Sequence, residues 1–247
     1  MRIEIVCCND QLRSIPLNYN YYLTSAIYKS INVVDKDLAK KIHDDGFYDE
    51  NEEHKNIKLF TYSFLKGNIF KVNDLDLKLS NGCFKWFISS PLNRLLEIIA
   101  LGFQELGYLE IKHQYFKIKE IKIRGNPKLK SKENFVCNSP IVVSKFYENG
   151  RVEYLTKIDE EFNIRVNNNL AKKYEILFGE KYTGNGVNVY APKKYPYTKL
   201  IKFKDIKLKG IFDEITLEGD TDLINIAYDS GLGEKNSMGF GMIEKKE

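Results

Sequence analysis

The sequence predicts an α+β protein in which the order strand, helix, strand, strand, helix, strand occurs twice. Three observations support this fold class. The 247 residues suffice for two units of about 120 residues, and 43% of them are hydrophobic, enough to build buried cores. Segments with alternating apolar residues, typical of strands, are also interspersed with segments in which apolar residues recur every three or four positions, typical of helices.

The first unit is predicted to open with one strand and a pair of helices. Residues 2–8 alternate with a period of two. From Tyr19 onward, apolar residues recur every four positions, which favours a helix, at Leu23, Ile27 and Ile31. Asp35 can cap a second, shorter helix, because its carboxylate can accept a hydrogen bond from the first turn.

Two strands, a helix and a last strand complete this unit. Residues 57–64 and 83–89 have strand-like patterns. Ser90 is predicted to be the N-cap of the next helix because proline follows it, and Gly107 is predicted to end that helix. The strand 108–112 then closes a unit that we expect to span residues 1–114.

The second unit, expected over residues 115–247, repeats the order with additional segments. Its elements are predicted as a strand at 116–123, short segments at 135–143 and 152–155, a helix between the cap Asp159 and the stop Gly179, strands at 187–190 and 198–217, a helix opening at Asp220 or Thr221, and a last strand from about Met238. The βαββαβ order is that of the ferredoxin-like fold. The sequence thus predicts two tandem ferredoxin-like domains.

Several classes of protein are excluded or disfavoured by composition. No apolar run approaches the ~18–20 residues needed to span a bilayer, and no export signal is evident. The four cysteines, Cys7, Cys8, Cys83 and Cys137, lack the spacing of a zinc site or a disulfide framework. We therefore expect reduced thiols in a cytoplasmic protein, and the cysteines predict no site for a metal or a cofactor.

Basic residues are concentrated in two strand-like segments, although the net charge is only +4. Residues 111–130 hold seven Lys or Arg against one acid, and residues 193–210 hold seven lysines against one, namely Lys193, Lys194, Lys199, Lys202, Lys204, Lys207 and Lys209. Lysines spaced by two on a strand are predicted to line one common face, which suits a phosphate backbone. Such lysines also solvate the outer face of an ordinary strand. The apolar alternation slips once in each segment, which predicts a bulge in each.

A glycine-rich loop is predicted between the last helix and the last strand. Its glycines can let backbone N–H groups approach a phosphate, and its polar side chains add donors. The candidate phosphate-contacting residues are Gly231, Gly233, Lys235, Asn236, Ser237, Gly239 and Gly241. A tight structural loop is the competing interpretation.

Four segments resemble one known family. The segment 231–241 resembles the glycine-rich signature of the RAMP superfamily, in particular of the CRISPR-associated endoribonucleases of the sixth Cas family. Residues 16–28 are similar to that family's first-helix motif, 57–63 to its following strand, and 138–142 to a further recurring segment. These segments span almost the whole chain in the expected order, and the family fold is two tandem ferredoxin-like domains.

The resemblance implies a function and a catalytic site. Members of that family cut precursor CRISPR RNA within its repeats without metal, through attack of a ribose 2′-OH that leaves a 2′,3′-cyclic phosphate and a 5′-OH. Their Tyr/His/Lys type of site corresponds here to Tyr28, His43 and Lys58. The sequence leaves open whether Tyr28 or His43 is the general base, and His54 is the substitute if the loop is misaligned.

Two alternatives and several partners remain open at this stage. A RAMP protein that binds repeat RNA without cutting it would share the loop and the basic strands, and an α+β interaction domain without RNA is a third class. The acidic stretch 44–53 is expected to be a solvated loop, although it lies next to the catalytic candidates. Repeat RNA is the expected partner, whereas homodimerisation and transfer of the product to a CRISPR effector complex are left open.

Overall fold

A computed structural model describes residues 1–44, 46, 57–71, 73 and 75–246, and contains five helices in these ranges. The helices are α1 Asn20–Val34, α2 Lys36–Asp44, α3 Asn93–Leu106, α4 Glu160–Phe178 and α5 Thr221–Ser230. None of these helices has an apolar stretch long enough to cross a membrane.

The strands of the described ranges form two principal sheets and three smaller ones. They are β1 Arg2–Asn9, β2 Arg13–Pro16, β3 Thr61–Tyr62, β4 Ile69–Lys71, β5 Asp76–Leu79, β6 Gly82–Ser89, β7 Tyr108–Ile111, β8 Gln114–Arg124, β9 Lys132–Cys137, β10 Ser144–Phe146, β11 Val152–Tyr154, β12 Val187–Tyr190, β13 Thr198–Phe203, β14 Ile206–Ile211, β15 Glu214–Gly219 and β16 Ile243–Lys245.

The first principal sheet has the strand order β3-β6-β1-β8-β7, and every neighbouring pair is antiparallel. Its core combines inward residues of these strands with apolar residues of α1, α2 and α3. The prediction that 116–123 opens the second unit is wrong, because this strand is β8 of the first sheet. Phe116 is fully buried in the first core, and Ile118 and Ile121 pack against it.

The second principal sheet has the order β12-β15-β9-β16, again with antiparallel neighbours. The helices α4 and α5 supply the apolar side chains that complete its core. The two sheets have the same arrangement. When the strands of each sheet are numbered in chain order, leaving out β7, their order in space is second, third, first, fourth. In the first sheet, β7 is an additional edge strand beside β8.

The predicted helix ends that depend on local hydrogen bonds are largely confirmed. Asp35 accepts from the backbone N–H of Leu38 at 2.9 Å, and Asp159 accepts from Phe162 at 3.2 Å. Gly107 and Gly179 follow α3 and α4 with positive φ angles, where glycine is favoured because it has no side chain. The start of α3 is different: Ser90 accepts from the N–H of Leu92, and the helix begins at Asn93.

The two predicted bulges have different outcomes. In β8 the register against β1 shifts between Val6 and Cys7, which confirms the first one. The second slip is instead a two-residue turn at Lys204 and Asp205, which joins β13 to β14. The predicted single strand 198–217 is therefore a hairpin followed by β15. The last strand begins at Ile243 rather than near Met238, which lies in a short 3-10 turn.

Two cysteines form a disulfide, so the prediction of four reduced thiols is wrong. Cys8 on β1 is the direct cross-strand neighbour of Cys83 on β6, and the two sulfur atoms are bonded. Because the two cysteines are 75 residues apart, no local sequence pattern indicated that they pair. Cys7 and Cys137 are free thiols.

The two halves contact each other through the beginning of β1. The Arg2 guanidinium donates to the carbonyl oxygens of Tyr228 and Ile243, at 2.7 and 2.6 Å, and to the Glu244 carboxylate at 2.8 Å. It also stacks on the ring of Tyr228, with 3.5 Å between the guanidinium carbon and the ring centroid. Arg2 is almost completely buried, so this contact ties the first sheet to α5 and β16.

Candidate active site and nucleic-acid interface

Tyr28 lies in the middle of α1, on the side of the helix that faces α2. Its ring is half-buried and makes edge contacts with His43, at 5.3 Å between centroids, and with Phe60, at 6.3 Å. Burial raises the pKa of Tyr28 above its ordinary value. The phenol therefore stays protonated near neutral pH and can donate a hydrogen bond.

His43 lies in the last turn of α2 and remains 69% exposed. Its Nδ1 is 2.9 Å from Oδ1 of Asp44. When Nδ1 donates to this carboxylate, Nε2 carries the lone pair and can accept a proton. The hydrogen bond with His43 lowers the pKa of Asp44, so Asp44 is ionised and can orient the ring.

Lys58 lies three residues before the start of β3 and is the third residue of the group. Its Nζ donates to the carbonyl oxygen of His43 at 2.7 Å and lies 5.4 Å from the centroid of the Tyr28 ring. Burial lowers the pKa of Lys58, and Asp44 opposes this effect. Because neutral pH lies far below the ordinary lysine pKa, a modest lowering leaves the ammonium charged.

The structure thus brings together the three residues that the sequence suggested as catalytic. Tyr28, His43 and Lys58 come from α1, α2 and the segment before β3, and they supply a protonated hydroxyl, an imidazole and a cation. His54 and most of the acidic stretch lie outside the described residues. Such a set can move a proton and stabilise developing negative charge.

The glycine-rich loop, residues 231–241, is built into the protein more tightly than the sequence suggested. The backbone N–H groups of Gly231, Gly239 and Gly241 donate to carbonyl oxygens within the protein and so are not available to a phosphate. A Cβ atom on Gly239 would collide with the Tyr62 ring. These glycines are required by close packing, and Lys235 is the residue that the loop exposes to solvent.

The loop also contacts the elements that carry the candidate site. Asn20 Nδ2 donates to the carbonyl oxygens of Met238 and Gly239, both at 3.3 Å, and Thr24 Oγ1 donates to that of Ser237 at 3.2 Å. The side chain of Asn236 is turned into the loop, where its Nδ2 donates to the carbonyl oxygen of Phe240. The amide nitrogen of Asn236 is therefore engaged in a hydrogen bond within the loop.

The basic hairpin, β13 and β14, presents its lysines in different directions. Lys202 and Lys207 are direct cross-strand neighbours on the exposed face, and Lys209 lies on the same face. Two like charges in this position repel each other unless an anion lies between them. Lys199 is on the opposite face, half-buried between Phe64 and Phe212, so the prediction of one common lysine face is wrong for it.

The remaining lysines lie at the ends of this hairpin. Lys204 occupies its turn with a positive φ angle, and its Nζ is 4.7 Å from the ring of Tyr21 on α1. Lys193 Nζ is 3.8 Å from Asp213, and Lys194 lies over Tyr195. The backbone N–H of Lys202 donates to Asn18 just before α1. Hairpin, loop and α1 thus form one continuous region.

Comparison with known proteins identifies the family. A family model described as CRISPR associated protein Cas6, C-terminal, matches residues 118–245, and one described as CRISPR-associated protein Cas6, N-terminal, matches residues 14–122. The CRISPR-associated endoribonuclease Cas6 1 of Methanocaldococcus jannaschii is 34% identical over all of this chain and 93% of its own length. The chain belongs to the Cas6 family of CRISPR-associated endoribonucleases.

Other Cas6 proteins resemble the chain over similar lengths. The CRISPR-associated endoribonuclease Cas6 of Pyrococcus furiosus is 29% identical over 95% of this chain and 85% of its own length. A solved structure described as CRISPR associated protein Cas6 is 32% identical, with a TM-score of 0.81 over 100% of this chain and 99% of that one. The mixed α/β fold is therefore that of Cas6 proteins.

One residue in this Cas6 chain was missed by the sequence analysis. Lys173 of α4 is fully buried, and its Nζ donates to the carbonyl oxygens of Gly231 and Gly233 and to Oδ1 of Asn236. Burial lowers its pKa to about 7, and Glu234 opposes this effect. The only sequence signal was a lysine within the apolar stripe of a helix, which is weak because lysine stems often border such stripes.

Proposed function

We propose that the chain cuts precursor CRISPR RNA within its repeats, by attack of a ribose 2′-OH on the adjacent phosphorus, without a metal ion. The products are a 2′,3′-cyclic phosphate and a 5′-OH, from which mature guide RNAs are made. The observation that carries this proposal is the contact of His43 with both Tyr28 and Lys58. The relatives' names supply the substrate class.

Each residue of this group has a role in the proposed reaction. His43, oriented by Asp44, either accepts the proton of the 2′-OH through Nε2 while water protonates the departing 5′-oxygen, or, as an imidazolium, protonates the 5′-oxygen while water accepts the 2′-OH proton. Tyr28 donates a hydrogen bond to the phosphate, because its raised pKa makes it a poor base. Lys58 places its positive charge where the phosphorane develops negative charge.

The basic hairpin is the proposed binding surface for the repeat RNA. Its exposed lysines, Lys202, Lys207 and Lys209, would contact phosphates, with Lys204 and Lys235 at the ends of the same region. This region reaches α1 through Tyr21 and Asn18. RNA held there would therefore run toward the helix that carries Tyr28.

The two halves of the chain are proposed to be separate domains of the same type. Each half is a ferredoxin-like domain, supported by the common strand order of the two sheets. We place the domain boundary between β8 and β9, in residues 125–131, instead of at residue 114. Cytoplasmic location follows from the proposed substrate, a transcript in a prokaryotic cell.

The alternative of a RAMP-type protein that binds repeat RNA without cutting it is disfavoured. A protein that only binds RNA has no need of an accessible imidazole whose Nδ1 is oriented by a carboxylate, and His43 has both properties. The acidic residue also makes poor sense for binding alone, because Asp44 repels phosphate.

Cleavage of end-labelled repeat RNA from the source genome, in EDTA, tests the proposed function. We expect one cut in each repeat and a 5′ fragment that ends in a 2′,3′-cyclic phosphate, because the attacking oxygen belongs to the RNA itself. Treatment of this fragment with a cyclic phosphodiesterase should change its mobility. Tight binding with no cut would instead favour the binding-only alternative, and a cut abolished by EDTA would contradict the metal-independent mechanism.

The binding surface is tested by neutralising the exposed cross-strand pair, Lys202→Gln with Lys207→Gln. We expect the magnitude of the slope of log affinity against log salt to fall by about 1.4–1.8, since each of the two lost phosphate contacts contributes roughly 0.7–0.9. The matched control is Lys132→Gln with Lys246→Gln, which removes two lysines that already pair with Glu218 and Glu214. The slopes are measured by fluorescence anisotropy. Equal slopes for the two double variants would show that the hairpin lysines do not contact the RNA phosphates.

A further inference from the structure

Lys173 has all its described hydrogen bonds inside the glycine-rich loop. Its Nζ donates to the carbonyl oxygen of Gly231 at 2.6 Å, to that of Gly233 at 3.3 Å and to Oδ1 of Asn236 at 2.8 Å. Three acceptors match the three N–H groups of an ammonium. The side chain is completely buried. A buried lysine is tolerated only when its polar group is hydrogen-bonded, so these bonds allow a lysine at this position.

The loop in turn holds two segments of the first half. It accepts hydrogen bonds from Asn20 and Thr24 on α1, as described above, and the carbonyl oxygen of Phe240 accepts from Thr61 Oγ1 on β3 at 2.8 Å. Gly239 packs against the ring of Tyr62, and the Tyr62 hydroxyl donates to the carbonyl oxygen of Asn20 at 2.8 Å. The loop is thus a clamp between α1 and β3.

The clamped segments are those that carry two of the three candidate catalytic residues. Tyr28 lies four residues after Thr24, one helical turn away on the same side of α1. Lys58 lies three residues before Thr61. A shift of the loop would therefore move both side chains relative to His43, and misplacement of reacting groups by about 1 Å can cost a factor of 10² in rate.

We propose that Lys173 is a positioning residue of the cleavage site, which fixes the glycine-rich loop in the shape that holds Tyr28 and Lys58 against His43. The rate effect rests on the proposed function, whereas the clamp itself does not. The glycines of the loop then serve this close packing. The loop and Lys173 belong to the second half of the chain, so the second half would help to position catalytic residues that all lie in the first half.

The test replaces the ammonium by an apolar group of similar length, Lys173→Met. Without RNA, we expect faster hydrogen–deuterium exchange in residues 231–241 and also in residues 20–28. With repeat RNA and saturating protein, the single-turnover cleavage rate should fall at least tenfold, and the dissociation constant should change less than threefold. Val166→Ala is the control, because it removes buried contacts of the same helix but no hydrogen bond to the loop. It should lower thermal stability without this exchange pattern.

A second variant keeps the proposal testable if Lys173→Met does not fold. Thr24→Val removes a hydroxyl that contacts both the carbonyl oxygen of Ser237, at 3.2 Å, and the Tyr62 hydroxyl, at 2.6 Å, at the other end of the clamp. It should raise exchange in residues 20–28 while the loop stays protected. Unchanged exchange and rate in Thr24→Val, or in a folded Lys173→Met, would overturn the clamp. Wild-type protein that fails to cut RNA would defeat the proposed function alone, and the exchange measurements would still decide the role of Lys173.

Discussion

Replacement of His43 by alanine is expected to lower the single-turnover rate of RNA cleavage by roughly 10²–10⁴, the usual contribution of a general acid–base group. The dissociation constant for repeat RNA should stay nearly unchanged, because the proposed binding lysines lie on the hairpin. His43 is the accessible imidazole next to Tyr28, and Asp44 orients it. The measurement is single-turnover cleavage with protein in excess, together with equilibrium binding under the same conditions.

The control for this experiment is His113→Ala. His113 is also a histidine at the surface, 90% exposed in the turn between β7 and β8, and it takes no part in the candidate site. Its replacement should leave the cleavage rate within twofold. If the two histidine variants cut RNA equally well, the catalytic assignment moves to His54 or to a site without histidine.

The second large effect concerns stability. Arg2→Met should lower the free energy of unfolding by about 2–6 kcal/mol, because two buried carbonyl oxygens lose their donor and each unsatisfied buried group costs about 1–3 kcal/mol. The variant keeps the apolar stem but leaves the carbonyl oxygens of Tyr228 and Ile243 and the carboxylate of Glu244 without this donor. Because Arg2 joins β1 to α5 and β16, the loss should fall on the contact between the two halves.

Denaturant unfolding of Arg2→Met and of Arg94→Met separates this buried contact from a general effect of losing an arginine. Arg94 is 77% exposed, and its guanidinium is 3.5 Å from Glu97 one turn along α3. Such a surface pair contributes at most about 0.5 kcal/mol. A loss for Arg2→Met no greater than that for Arg94→Met would show that the Arg2 contact does not stabilise the protein.

The proximity of the three candidate catalytic residues could be anticipated from the sequence, whereas the contacts of the glycine-rich loop could not. Tyr28, His43 and Lys58 could be named because their order along the chain matches a family motif, and the structure brings them together. The glycine-rich loop had an equally clear motif. Gly239 nevertheless packs against the Tyr62 ring, and the carbonyl oxygens of Gly231 and Gly233 accept hydrogen bonds from Lys173. Both partners come from other parts of the chain and could not be inferred from the motif.

By itself, the sequence determined the features of this protein that depend on neighbouring residues. The caps at Asp35 and Asp159 and the stops at Gly107 and Gly179 follow from hydrogen bonds and φ angles within a few residues. The bulge in β8 follows in the same way from a slip in its own alternation.

Only the tertiary structure decided which strands share a sheet and which side chains meet across it. Alternation shows that β8 has one buried face, but an alternating strand fits either sheet equally well, and pairing with β1 assigned it to the first. Other contacts between distant segments likewise join Cys8 to Cys83 and bring Lys173 to the glycine-rich loop. These contacts depend on packing between residues far apart in the chain, and a local pattern carries no information about such a partner.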